Sequence, residues 1–448
     1  MSFMIPQDFL GRFVYHFTSV YNLKSIIRDG LLSTNLKNKL NIKNVDISNK
    51  NIQARRSQML VPCGRKGVVH DYVPFYFAKR TPMLLNVVKS KNYDQVDIMF
   101  LAVPIEKVLE KNVVFSDASA NTNLPPSFYS EPKDLENLNW EIIDNPKWSY
   151  PDDNERHQKM AEMLIHDKVE INEVSFIVVW NDNFKEYVQS ILNRNSLENI
   201  KVVTDYEKYF KHHYFSLFNE SGRKNIITGP RVLLKLTNDN IDKICDNRQQ
   251  DCRFDGLEEL VNAIEDDFSC IKELKEIEGL ITDNIIHKES VSDHSCAVAA
   301  LVKQDDKFEK YNKNQKLILV LSAYLHDIGK GPKSRWPKGI QKVDDDHPRK
   351  SLPMLERILC NEVSGLTRRD IRRIHMLVVY DDLVGDIVAK GRNKCQFQEV
   401  ICNKIDVDLL ISIAKADMGA INPVWVENYQ EAIEELRQEM YDFLEKTA

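Results

Sequence analysis

A chain of 448 residues is longer than one hydrophobic core usually organises, so two or three domains are expected. Hydrophobic residues at 43%, charged residues at 29%, and only 15 glycines and 16 prolines exclude collagen-like, low-complexity and disordered classes. The formal net charge of −6 gives no global ground for nucleic-acid binding. No stretch approaches the roughly 18 apolar residues of a membrane span, and the 8 cysteines form no CxxC pair, so a cytoplasmic protein with free thiols and no membrane partner is expected.

The first 215 residues read as mixed α/β. VYHFT, DIMFLAVPI and VSFIVVW are predicted strands, and NLKSIIRDGLL is a short helix with apolar residues at Leu23, Ile26, Ile27 and Leu31 and a glycine stop at Gly30. From Lys37 to Lys91 twelve Lys or Arg stand against Asp46 and Asp71 alone. Counterion release rewards such a concentration on a phosphate backbone, and Tyr72, Phe75, Tyr76 and Phe77 lie within it as stacking candidates; a solvated face over core aromatics is the competing reading.

Four segments embed polar groups in apolar sequence: YHFTSVYNL, NIQARRSQMLVP, HDYVPFYFAKRTPML and KMAEMLI. His16, Thr18 and Asn22 can bond ribose or amide groups, Arg56 can meet phosphate, and the aromatic run can stack on a ring. Glu162 stands between Ala161 and Met163-Leu164-Ile165, where a lone carboxylate is normally avoided. In an apolar wall a carboxylate stabilises the oxocarbenium ion formed as nicotinamide leaves NAD. Periodicity alone instead favours an amphipathic helix over 155–166 with Glu162 at its solvent edge.

After Phe215 the segment SGRKNIITGP signals a loop, and residues 251–289 hold twelve Asp or Glu against four Lys or Arg. Residues 216–285 are expected to form a helical connector, standing apart or as part of the second domain, and 286–448 an all-helical domain. In LSAYLHDIGK an apolar helix ends on His326 and Asp327, whose side chains diverge by about 100° and can grip one ion only where the helix ends or bends. His294 lies upstream, and His347, His375 and Asp417 downstream.

The order of His294, the pair in LHDIGKG, His347 in DDDHPRKS, His375 in RRIHMLVVYDD and Asp417 in AKADMGA resembles the HD-domain metal-dependent phosphohydrolases over roughly 285–425. The resemblance implies that His294, His326, Asp327 and Asp417 hold one ion of Mn, Fe, Co, Zn or Mg. It further implies that His347 and His375 hold a second ion with Asp327 bridging, and that Lys330 sits near the developing phosphate charge.

The N-terminal segments, read as YHxTxxxNL, IQxRR, HDYVPFYFxxRxPML and AExLI, resemble the DarT family of nucleic-acid ADP-ribosyltransferases over roughly 12–215. This implies an ADP-ribosyltransferase fold in which His16, Thr18, Asn22 and Arg56 contact NAD and Glu162 is the catalytic glutamate, with Arg56 also polarising the acceptor base. Single-stranded DNA or RNA is the implied partner, in an enzyme of toxin or phage-defence type. Where that family carries D-x-H this chain reads Asp117-Ala118-Ser119, which leaves thymine, guanine or an RNA base open as the acceptor. The fused hydrolase is then expected to process or counteract the modification. The alternative is an HD phosphohydrolase regulated by an N-terminal nucleotide- or single-strand-binding module without transferase activity.

Overall fold

The computed structural model describes residues 4–47, 50–119, 125–148, 150–205, 213–215, 227–249, 251–283 and 289–447. The chain divides into two compact units, 1–226 without 90–92, and 227–448 together with 90–92. Among the described residues no helix is long and apolar enough to cross a membrane.

The first unit is mixed α/β. Its strands are β1 Phe13–Ser19, β2 Leu31–Leu32, β3 Tyr72–Tyr76, β4 Ile98–Pro104, β5 Val113–Ser116, β6 Phe128–Tyr129, β7 Glu162–His166, β8 Lys168–Val169, β9 Phe176–Val179 and β10 Lys201–Thr204. Its helices are α1 Leu23–Asp29, α2 Thr34–Lys39, α3 Lys50–Arg56, α4 Pro82–Lys89, α5 Trp140–Asp144, α6 Asp153–Gln158 and α7 Asp182–Asn193. Eight strands form one sheet in the order β10-β9-β4-β1-β3-β7-β5-β6, while β2 and β8 pair separately. β9 and β10 are parallel and their neighbours antiparallel. The unbroken apolar run of β4 is central because Ile98 to Val103 are buried, so both its faces are covered.

β7 overturns the amphipathic-helix reading of 155–166. The helix there, α6, ends at Gln158, and Glu162 opens a strand flanked by Tyr76 of β3 and Ser116 of β5. Glu162 is fully buried, with Met163, Leu164 and Ile165 buried behind it, so no solvent edge exists for it to occupy. A run of four residues buried on both faces satisfies a sheet interior and not a 3.6-residue period. Lys159 fixes the turn before the strand by donating to the carbonyls of Ile142 (3.0 Å) and Ile143 (2.8 Å) at the C-terminal end of α5.

The second unit is helical apart from a two-residue ladder, β11 Ile281–Thr282 with β12 Ile340–Gln341. Its helices are α8 Pro230–Asn247, α9 Leu257–Asp266, α10 Lys272–Ile277, α11 Val291–Val302, α12 Lys313–Leu325, α13 His347–Asn361, α14 Arg368–Val379, α15 Leu383–Lys390, α16 Cys395–Val400, α17 Lys404–Ile421 and α18 Pro423–Thr447. The segment expected as a helical connector, 216–285, holds α8, α9 and α10, and from residue 227 it falls in the second unit. Leu233, Ile241 and Ile244 of α8 and Leu257, Leu260, Val261 and Ile264 of α9 are buried in the same core as α12, α14 and α17, because their apolar positions recur on one helical face. The loop expected at 221–230 lies outside the described residues as far as 226, as does His212.

Candidate catalytic cleft and metal centre

A cleft of about 550 Å³ opens in the first unit, lined among others by His16, Thr18, Asn22, Arg56, His70 and Tyr76. That volume suits a nucleotide-sized ligand. Arg56, the last residue of α3, donates from Nη1 to Glu162 Oε1 at 2.7 Å and from Nη2 to Oε2 at 3.1 Å. The pair is buried, with side-chain exposures of 8% and 0%. Burial works against the guanidinium charge, and the carboxylate of Glu162 more than restores it. Tyr76 is held protonated well above its ordinary range by burial and by Glu162, and Phe17 stacks against it at 5.9 Å.

His16 donates from Nδ1 to the Pro74 carbonyl at 2.8 Å, which leaves Nε2 as the acceptor nitrogen. Burial pushes its pKa down to about 4, so the ring is neutral at physiological pH. Between about 4 and the ordinary 6.5 the unfolded chain binds the proton that the folded state refuses, so stability is lost as pH falls through this window. Between pH 7 and pH 4.5 this histidine should contribute a loss of about 2 to 3 kcal/mol. Urea denaturation at the two pH values checks it: His16→Gln should show a correspondingly smaller pH-dependent loss than the unaltered chain.

Thr18 and Asn22 line the cleft, but the Asn22 amide is engaged. Its Nδ2 donates to Thr18 Oγ1 (3.0 Å) and to the Val45 carbonyl (2.9 Å), and its Oδ1 accepts from Val45 N–H (2.8 Å). Asn22 therefore clasps the segment that borders the cleft at Asn44–Ile47. His70 performs a similar task for α3 by donating from Nε2 to Gln53 Oε1 at 3.0 Å. The aromatic run is corrected as a stacking platform: Tyr72, Phe75 and Phe77 are core residues, and of the four only Tyr72 and Tyr76 touch the cleft. Alternation along β3 sends its side chains to opposite faces, which four aromatics within six residues of sequence conceal.

In the second unit α12 ends at Leu325, and Asp327 has left helical geometry (φ −102°, ψ 7°), so the bend expected after His326 is present. His294 Nε2 lies 2.8 Å from Asp417 Oδ1, and His326 Nε2 lies 3.6 Å from the same oxygen and 3.5 Å from Asp327 Oδ2. His326 donates from Nδ1 to the Ala323 carbonyl at 2.8 Å, which aims Nε2 at the carboxylates, yet this buried Nε2 makes no hydrogen bond. Ligands about 2.1 Å from an ion stand about 3.0 to 3.4 Å apart, so the residues fit a divalent cation. Burial alone would raise the Asp327 pKa, but Lys330, His326, His347 and His294 together hold it far below the carboxylate range. Lys330 Nζ donates to Asp327 Oδ2 at 2.6 Å.

His375 does not join this cluster. Fully buried on α14, its ring nitrogens lie 2.8 Å from the Ile371 carbonyl and 2.8 Å from Asn240 Oδ1, and burial lowers its pKa to about 4. Helical rotation turns it toward α8, whereas Asp381 and Asp382, just beyond the end of α14, reach the histidines. Sequence reading missed these two aspartates. Their signal was available, since VVYDD repeats the pattern of an apolar helix closing on adjacent ligand-type residues.

The family model described as "ssDNA thymidine ADP-ribosyltransferase, DarT" matches residues 15–210. A DNA ADP-ribosyl transferase of Thermus aquaticus is 34% identical over 184 residues, which are 40% of this chain and 80% of that protein. One from Thermus sp. strain 2.9 is 32% identical over 185 residues, 40% of this chain and 87% of that protein. The solved structure of Thermus sp. 2.9 DarT with ADP-ribosylated ssDNA shares 29% identity, covers 47% of this chain and 99% of its own, and superposes with a TM-score of 0.41.

Proposed function

Because this chain belongs, through its N-terminal unit, to the DarT family, we propose that this unit transfers ADP-ribose from the substrate NAD to a base in single-stranded DNA. The observation that carries the reading is the buried Arg56–Glu162 pair at the cleft lined by His16, Thr18 and Asn22. In this reading the bond between nicotinamide and the ribose C1′ breaks, the new bond joins C1′ to the acceptor base, and the base gives up a proton. Glu162 opposes the positive charge that develops at C1′. Arg56 provides the matching cation: released from Glu162, its guanidinium is free to meet phosphate or to polarise a base carbonyl. Neutral His16 offers an acceptor nitrogen to a ribose hydroxyl or the nicotinamide amide. An unpaired strand suits this cleft because a stacked base would first have to be extracted from its duplex.

The matched family is described as acting on thymidine, so a thymidine-containing single strand is the first acceptor to test. Labelled NAD incubated with single-stranded DNA of varied base content, its duplexes and matching RNA should label the thymidine-bearing single strand. NAD binding without label on any oligonucleotide would sink the transferase reading and favour a nucleotide-binding module.

For the second unit we propose an HD-type phosphohydrolase centre in which His294, His326, Asp327 and Asp417 hold a divalent ion. The support is the buried, hydrogen-bond-free Nε2 of His326 facing two carboxylates. A bound ion supplies Lewis acidity and an activated water there. Lys330 holds Asp327 in place and adds positive charge beside the position of a phosphate.

A further inference from the structure

We propose that Lys37 is the residue that binds the pyrophosphate of NAD, so that Arg56 stays with Glu162 and the acceptor base and is not drawn away to the phosphates. This rests on the transferase reading of the first unit, and goes beyond it in assigning the cation that holds the dinucleotide.

Among the residues that line the cleft, Lys37 and Arg56 are the two that carry a full positive charge. Arg56 is committed, because both ends of its guanidinium meet the Glu162 carboxylate, at 2.7 and 3.1 Å, and the pair is neutral as a unit. Lys37 is uncommitted. Among the described residues its side chain makes no ion pair and no hydrogen bond, and Asp46, the one carboxylate on the cleft lining, is not its partner. A pyrophosphate brings two negative charges into the cleft, where an unpaired anion is costly. Lys37 is the charge available to meet it.

The backbone holds that lysine in place. α2 is entered through Ser33, whose Oγ accepts from the Leu36 N–H at 3.3 Å and whose own N–H donates to the Asp167 carbonyl at 2.7 Å. Asn35 Nδ2 donates to Asp71 Oδ1 at 2.7 Å and ties the helix to the turn before β3. Thr34, Lys37 and Asn38, at spacings of three and four, all line the cleft, so one face of α2 is turned inward. Lys37 is half-buried on that face, whereas Lys39 is exposed and lies off it.

Burial lowers the His70 pKa, and the charges of Arg56 and then Lys37 lower it further, so both cations stand near this cleft-lining histidine. In NAD a single ribose separates the pyrophosphate from the nicotinamide bond. A lysine on this wall therefore holds the phosphates while C1′ faces Glu162. The two cations also suit different targets: a lysine meets phosphate as a point charge, whereas the flat guanidinium of Arg56 matches a carboxylate or a base edge. Lys37 opens the basic run that the sequence offers to a nucleic-acid strand, and its place on the cleft lining assigns it to the dinucleotide instead.

The test is calorimetric titration of the full chain with NAD, with the fold of each variant checked by circular dichroism. Lys37→Gln should weaken NAD by about 10- to 100-fold, Lys37→Glu by more, and Lys37→Arg by no more than about threefold, while Lys39→Gln should bind NAD as the unaltered chain does. In the transfer assay the Lys37→Gln loss should fall on KM for NAD, with kcat at saturating NAD within about fivefold of normal. Equal NAD affinity across the Lys37 series, or a loss in Lys37→Arg as deep as in Lys37→Gln, overturns the assignment. A rise in KM for the oligonucleotide alone overturns it too and returns Lys37 to the strand. No NAD binding in the unaltered chain removes the dinucleotide reading itself.

Discussion

Glu162→Gln lowers ADP-ribose transfer by at least about 10³-fold while NAD binding, read by calorimetry, stays within a few-fold of the unaltered chain. The amide keeps the shape of the side chain and can still bond Arg56, but it carries no charge to oppose the cation at C1′. Glutamine is the informative replacement because alanine would strand a buried guanidinium, at a cost of about 3 to 5 kcal/mol, and confuse lost chemistry with lost structure. Arg56→Ala separates the two partners. It leaves Glu162 inside an apolar wall with its cation gone, so it should both destabilise the first unit by a similar amount and abolish transfer. Residual transfer by Glu162→Gln within tenfold of normal would remove the carboxylate from the chemistry.

Gly329→Ala collapses the proposed metal centre without replacing any of its proposed ligands. A Cβ there would stand 2.0 Å from the His347 carbonyl oxygen and 2.5 Å from Ser351 Oγ. The backbone of α13 cannot yield that space, so His347 and the Asp327 turn are pushed apart. The expected cost is about 3 kcal/mol or more, equivalent to a fall of roughly 10 °C in the melting of a unit of this size. Metal retention after dialysis should fall with it. Gly365→Ala is the control: its φ of +72° strains alanine, but nothing lies within 4 Å of the new methyl group. It should cost about 1 kcal/mol and leave metal retention at the proposed centre unchanged.

How far these features were legible in the sequence depends on how local each one is. The strands at 13–19, 98–104 and 176–179 announced themselves through apolar content, and the end of α12 at the His326–Asp327 pair through its adjacent glycine. Glu162 was visible as an anomaly, but whether it sat on a helix or a strand was decided by β3 and β5, which pair with it from 86 and 46 positions away in the chain. His375 was assigned by order alone. Its rotation toward Asn240 follows from the packing of α14 on α8, a contact separated by 135 residues that no local pattern records. Asp381 and Asp382 passed unnoticed for the converse reason, since consecutive acidic residues after a helix most often face solvent.

The two halves of the Arg56–Glu162 pair hang from different kinds of support. The glutamate projects from a strand locked on either side by neighbouring strands, whereas the arginine closes a short helix bordered by the segment that Asn22 clasps. On the proposed transferase reading, the carboxylate that faces the breaking nicotinamide bond stands on the more rigid support, and the cation offered to the acceptor on the less rigid one. Substitutions at Asn44–Ile47, which border the cleft, should therefore disturb the acceptor side of the proposed reaction before they disturb release of nicotinamide.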